Sequence, residues 1–153
     1  RLAWMFIMNF SLELKEFADK TGRNVNDVQK AVALDLFGKV IKSTPVGNPS
    51  LWKSKPPKGY TGGRLRGNWQ ASIDKPATGI LSKEDKNGNA TIGKMSAIVE
   101  SHKDDGILWL TNNLPYAMRV EYGWSTQAPS GMVRVTIAAF ESAINKAIQR
   151  VNK

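Results

Sequence analysis

The sequence predicts an α+β fold: a small antiparallel sheet packed against two or three helices, with a long C-terminal helix and an extended loop at about 45–64. Apolar residues recur at helical spacing from Val25 to Ile41 and again from Met132 to Val151. Between these stretches the period falls to two, from Leu65 to Ile73. No internal repeat, low-complexity tract or linker divides the 153 residues, so one domain spanning 1–153 is expected.

Taken in order, Ser11 is placed to cap a short helix over 12–21, which Gly22 ends. Asn24 caps a longer helix, and Asp27 in its first turn suits the helix dipole. Val25, Val28, Val32, Leu36 and Val40 form one stripe on it, widened by Ala33, Phe37 and Ile41. Ala31, Leu34 and Gly38 lie opposite, so the helix is expected to bury two sides: one in the core, the other, with Leu34, against a neighbouring subunit. Thr44-Pro45 ends it, because a proline disfavours helix in the residue before it.

Leu65, Gly67, Trp69, Ala71 and Ile73 alternate with Arg66, Asn68, Gln70 and Ser72. That pattern predicts a strand with Trp69 in the core and with Arg64 and Arg66 facing away. KEDKNGNAT, residues 83–91, carries Asn87-Gly88 at its centre and predicts a hairpin. Residues 95–102 are ambiguous. ILWLT, residues 107–111, reads as a buried strand with Trp109 in the core. Pro115 opens a short helix, PYAMRVEY, that stops at Gly123 and leaves Trp124 exposed. Val133, Ile137, Phe140, Ile144, Ala147 and Val151 then mark the closing helix, with Lys146, Arg150 and Lys153 in its last turns.

Charge is the strongest compositional signal. Lys and Arg number 22 against 13 Asp and Glu, a formal charge of +9, which favours contact with nucleic acid or an acidic protein surface. From Lys39 through Lys42, Lys53, Lys55, Lys58, Arg64 and Arg66 no carboxylate interrupts the cations. With no cysteine, disulfides and thiolate metal sites are excluded. The apolar start, RLAWMFIMNF, is shorter than the roughly 20 residues of a membrane span. Residues 1–10 are therefore read as an N-terminal extension that packs on the domain, with no membrane partner.

Catalytic constellations are sparse. His102 is the single histidine, in ESHKDDG. Glu100, His102 and Asp104 would share one side of an extended segment, but a polar turn before ILWLT is the simpler reading. No G-x-S-x-G elbow and no G-x-x-x-x-G-K-[ST] phosphate loop occurs. No catalytic, metal or cofactor site is assigned, and the chain is read as a non-enzyme.

A long helix ending STPVG is followed by GGRLRGNW, LTNNLPYAMRVEYGWS and QAPSGMVRVTIAAF. In that order these pieces resemble the head–tail connector, or tail-completion (neck), family of long-tailed bacteriophages, over about residues 9–151. The most specific part is Asn113, Pro115-Tyr116-Ala117, Glu121-Tyr122-Gly123, Ala128-Pro129 and Gly131-Met132. Many relatives run almost directly from the Thr-Pro-Val segment to the Gly-x-Leu-Arg segment, whereas here Asn48 to Thr61 intervene. The resemblance implies a structural virion protein, hexameric or dodecameric, forming a ring at the head–tail interface around the DNA channel. Its implied partners are copies of itself, neighbouring neck and connector proteins, tail-tube or tail-terminator proteins, and the genomic duplex in the lumen. Localisation follows as the virion, with assembly in the host cytoplasm.

Within that picture Trp52, Lys53, Lys55, Lys58 and Tyr60 are expected to form a protruding arm that reaches a neighbouring subunit or ring. Arg64 and Arg66 would meet an acidic partner or passing DNA. Tyr116, Glu121 and Tyr122 are expected to hold the short helix and its turn, with Arg119 and Arg134 pairing with Glu121. The alternative is a small basic nucleic-acid-binding protein that uses the same 50–69 loop, stacking Trp52 and Tyr60 on bases.

Overall fold

The computed structural model describes residues 15–103 and 106–151, and side chains up to Ser142 in the last helix. Helix α1 is seen over residues 15–21, and Gly22, at φ 65°, ends it. The Ala18 carbonyl there accepts the Arg23 N–H at 3.0 Å. The extension at 1–10, the Ser11 cap and the packing of that stretch lie outside the described residues. Helix α2, Val25–Ser43, starts as expected, with Asn24 accepting the Asn26 N–H at 2.8 Å. Thr44 is fully buried, and its hydroxyl donates to the Val40 carbonyl at 2.7 Å as the chain turns extended before Pro45.

After the loop come α3 (Arg64–Gly67), β1 (Gln70–Ile73), α4 (Asn89–Ser101), β2 (Leu108–Thr111), α5 (Ala117–Glu121) and α6 (Val133–Val151). β1 and β2 form a two-stranded antiparallel sheet in which Ala71 faces Leu110 and Ser72 faces Trp109. The α4 helix packs on β1, while α2 packs on both α4 and α6. The fold is thus the α+β arrangement expected, with a smaller sheet and two more helices, α3 and α4. The main core gathers Val40, Ile41, Leu65, Trp69, Met95 and Val99 with Leu114, Ala117, Ala128 and Met132. A satellite cluster joins Ala18 to Val28, with Phe17 and Val32 against it.

Four local expectations are overturned. The strand does not begin at Leu65: Gly62 and Gly63, at φ 80° and 89°, turn the chain into one helical turn, and β1 starts only at Gln70. Leu65, Gly67 and Trp69 are buried as the alternation requires, yet Asn68 between them is buried too. Its amide donates to the Arg64 carbonyl at 2.8 Å and its oxygen accepts the Leu81 N–H at 2.7 Å. Asn87-Gly88 makes no hairpin. Gly88 is the N-cap of α4, whose orphan N–H groups are met by Asp85, which accepts from Gly88 at 3.0 Å and from Thr91 at 2.8 Å. The ambiguous 95–102 stretch is therefore mostly helix, with Thr91, Met95 and Val99 as its buried stripe.

Trp109 is not core: it stands on the sheet face away from the main core, 37% exposed, while Leu108 and Leu110 pack inward. Leu34 does not stand on a free outer face, since it is half-buried and packs on the main core beside Phe37. The buried stripe that runs from Met132, just before α6, continues on it as Thr136 and Phe140, leaving Val135 and Ile137 exposed. The expected positions of Ile144, Lys146, Ala147, Arg150, Val151 and Lys153 lie outside the described side chains.

Candidate partner interface

GGRLRGNW is held by backbone geometry before any side chain acts. The Gly63 carbonyl accepts the Gly67 N–H at 2.8 Å and the Asp85 N–H at 3.1 Å, which fastens the 83–86 strap across α3. A Cβ on Gly63 would stand 2.7 Å from the Lys86 nitrogen, and one on Gly67 2.8 Å from the Lys83 carbonyl oxygen. Both glycines are there for close approach. Asp85 is buried, which by itself raises its carboxyl; the Thr91 hydroxyl, the Thr91 N–H and the Gly88 N–H outweigh this and hold it below the usual carboxylate value.

The two arginines of this segment part company. Arg66 donates to the Thr44 carbonyl from Nε at 3.0 Å and from Nη2 at 2.6 Å, to the Lys42 carbonyl at 3.1 Å, and to the Lys86 carbonyl. It clamps the end of α2 to α3 and the strap, so it faces into the fold instead of outward. The guanidinium fork suits several carbonyls at once. Arg64 remains exposed, with no ion pair among the described residues.

The 45–64 loop is extended, but its aromatic residues fold back. Trp52 and Tyr60 pair as tilted rings with centroids 4.8 Å apart. The Tyr60 hydroxyl fills the place where any Cβ on Gly47 would sit. Asn48 opens a short 3-10 turn over Pro49–Leu51 by accepting the Ser50 N–H at 3.1 Å. The result is a groove of about 540 Å³ between loop, α3 and α5, walled by Trp52, Lys58, Tyr60, Arg64, Tyr116 and Gln127. Burial pushes the Tyr116 hydroxyl up; Arg64 opposes that and Tyr60 adds to it, because all three face this groove. Lys53 and Lys55 stand outside the wall, exposed, and Leu34, packed on the main core, is not part of it.

The segment from Asn113 to Met132 forms a knitted junction. Asn113 donates to the Ala77 and Gly79 carbonyls at 2.9 and 3.0 Å. Glu121 caps α6, accepting from the N–H groups of Met132, Val133 and Arg134 at 2.8, 2.9 and 3.0 Å. Burial alone would raise this carboxyl, but those three N–H groups and the Arg134 side chain lower it overall. Gly131 lies against Glu121, and Gly123, at φ 84°, lies against the Pro129 carbonyl, leaving no room for a Cβ at either position. Arg134 pairs with Glu121 at 3.2 Å, as expected. Arg119 does not: its guanidinium lies 4.4 Å from the centre of the Trp124 ring.

Outside this junction is a surface that sequence reasoning found only in part: Trp124 is exposed as expected, but Tyr122, expected to hold the turn, stands out in solvent beside it. Met118, Tyr122 and Trp124 are 62%, 67% and 68% exposed, with Arg119 over Trp124 and Arg134 over Tyr122. The signal was present as Met118 and Tyr122, one helical turn apart, with Trp124 beyond the Gly123 stop.

His102 does not join a metal constellation among the described residues. It is fully buried at the end of α4, neither ring nitrogen has a hydrogen-bond partner among those residues, and Glu100 points to solvent. Asp104 lies outside the described residues. No helix among those residues is long and apolar enough to cross a membrane. Compared with known proteins, the chain matches no family model, no curated protein and no solved structure.

Proposed function

We propose that this chain is a structural subunit of the neck of a long-tailed bacteriophage, closing as a ring at the head–tail interface and joining tail to head around the DNA channel. The observation that carries this reading is the exposed face of the junction. Met118, Tyr122 and Trp124, with two stacked arginines, form a cluster of the residue types that anchor protein interfaces. Contiguous exposed apolar surface of this kind marks an interaction site.

The residues most specific to the connector resemblance support the same reading. Glu121, Gly123, Gly131 and Met132 set the path between α5 and α6, so the motif acts by building a rigid corner. In this role the protein is not an enzyme. Its partners are other copies, neighbouring neck and tail proteins, and the duplex in the lumen; its location is the virion. The basic-aromatic groove docks a segment of an adjacent protein, with Lys53, Lys55, Lys58 and Arg64 meeting acidic groups. A phage lacking the gene should give DNA-filled heads and separate tails by electron microscopy. Normally joined particles would refute the proposal.

A second reading has one observation in its favour. Lys53, Lys55, Lys58 and Arg64 have no ion pair among the described residues, as a phosphate-binding surface would require. Steeply salt-dependent binding of the free protein to DNA would favour it, while binding that is weak at every salt concentration would exclude it.

A further inference from the structure

The platform on the junction has a complementary surface on the same molecule. At the other end of the α2–α6 pair lies a groove of about 500 Å³, floored by Phe17, Val28, Val32 and Phe140 and edged by Asp27, Asp35 and Arg23. Ala31, whose side chain is a single methyl, lines it and is exposed. The ends are far apart: Ala31 lies about 18 Å along the α2 axis from Ser43. The chain just beyond Ser43 meets the junction, where Gln127 donates to the Val46 carbonyl at 3.2 Å.

We infer that the groove receives the platform of a second copy, with Trp124 over Ala31 and the arginines Arg119 and Arg134 facing Asp27 and Asp35. Three observations argue for a copy of this chain as the occupant. The knob carries two arginines against one mostly buried carboxylate, Glu121, and the apolar groove carries two carboxylates against one cation, Arg23, so the opposite signs face each other. Asp27 has no ion pair among the described residues, and Asp35 holds only the exposed Lys39 one turn away. Knob and groove are different patches at opposite ends, so joining them is head-to-tail, the arrangement that closes into rings or runs into filaments. The contact rests on the neck-ring reading for its closure, but the pairing itself stands apart from where the ring sits.

Because the chain has no cysteine, the pairing can be tested with introduced thiols. Ala31→Cys and Thr126→Cys copies, the second keeping Trp124 and placing its thiol on an exposed neighbour, would be prepared separately, mixed, and treated with a short bis-maleimide; an Ala97→Cys copy, exposed on α4, serves as control. The mixture should give a cross-linked heterodimer, each variant alone no more than the control, and copies with both cysteines a ladder. In parallel, Trp124→Ala should weaken association in sedimentation by at least about thirtyfold, the loss of a buried tryptophan anchor.

Efficient Thr126→Cys homodimers would mean that platforms meet each other, and would overturn the inference. So would a link from Ala31→Cys to a cysteine at Met5 of the same chain, which would fill the groove with the chain's own start. If no link exceeds the control while sedimentation still finds hexamers or dodecamers, this contact is wrong and the ring reading stands. If particles join normally without the gene, the ring reading is wrong whatever the cross-link shows.

Discussion

Replacing Glu121 tests the rigid corner directly. Its side chain is 13% exposed and is the sole carboxylate at the α6 N-terminus among the described residues. An N-terminal cap is worth about 1 kcal/mol, a carboxylate beside the helix dipole adds roughly 0.5, and a surface pair such as that with Arg134 about 0.5 or less. Glu121→Ala should therefore cost about 2 kcal/mol. Glu121→Gln, which keeps an acceptor but no charge, should cost about half as much. With a urea slope of about 1–3 kcal/mol per molar, the alanine variant's midpoint should fall by roughly 1 M at unchanged slope.

The pH dependence separates a charged cap from simple packing. Because the folded Glu121 carboxyl lies below its ordinary value, the unfolded chain binds more protons through the window between the two values. Its contribution is complete above about pH 4.3, the ordinary glutamate value, and is lost as pH falls through the folded value. The gap between wild type and Glu121→Gln should thus be full at neutral pH and shrink in acid. Equal midpoints at neutral pH, or a gap that persists unchanged in acid, would refute the capping argument.

Three further outcomes follow from the same geometry. Gly63→Ala places a side chain in left-handed backbone 2.7 Å from the Lys86 nitrogen, and thermal unfolding should show a loss of about 2 kcal/mol or more. Arg66→Lys keeps the charge but not the fork that holds the Thr44, Lys42 and Lys86 carbonyls; a loss of about 1–2 kcal/mol is expected by urea titration. Changing Lys53, Lys55 and Lys58 together to alanine should leave stability within about 0.5 kcal/mol. If that triple variant still fails to complete particles, measured by plaque yield and microscopy, the loop acts in docking rather than folding.

Local periodicity reached the elements that are long enough to carry it. α2, with its Asn24 cap and Thr44-Pro45 end, was legible, and so were the onset of α6 and the Gly123 stop. Where several short-range rules competed, the reading failed. The alternation from Leu65 to Ile73 fits one helical turn followed by a short strand, because a turn sandwiched between α2 and the 83–86 strap buries the same residues. Asn87-Gly88 serves a helix start as readily as a hairpin, and Asp85, three residues before Gly88, decided it by supplying the cap. A Thr91, Met95, Val99 stripe was readable but was masked by the expected turn.

By itself, then, the sequence determined the α+β class, the two long helices, the cation-rich extended loop and the turn glycines, all of which depend on neighbours within a few residues. Tertiary structure alone decided what those residues face. It turned Arg66 inward onto three carbonyls, left Trp109 on the sheet face away from the core, and folded Trp52 and Tyr60 back over Gly47. It also brought Glu121 to the start of α6, so that Tyr122 and Trp124 stand outside the corner. These outcomes depend on partners ten to eighty residues away, and no local pattern encodes which of two faces such a partner will cover.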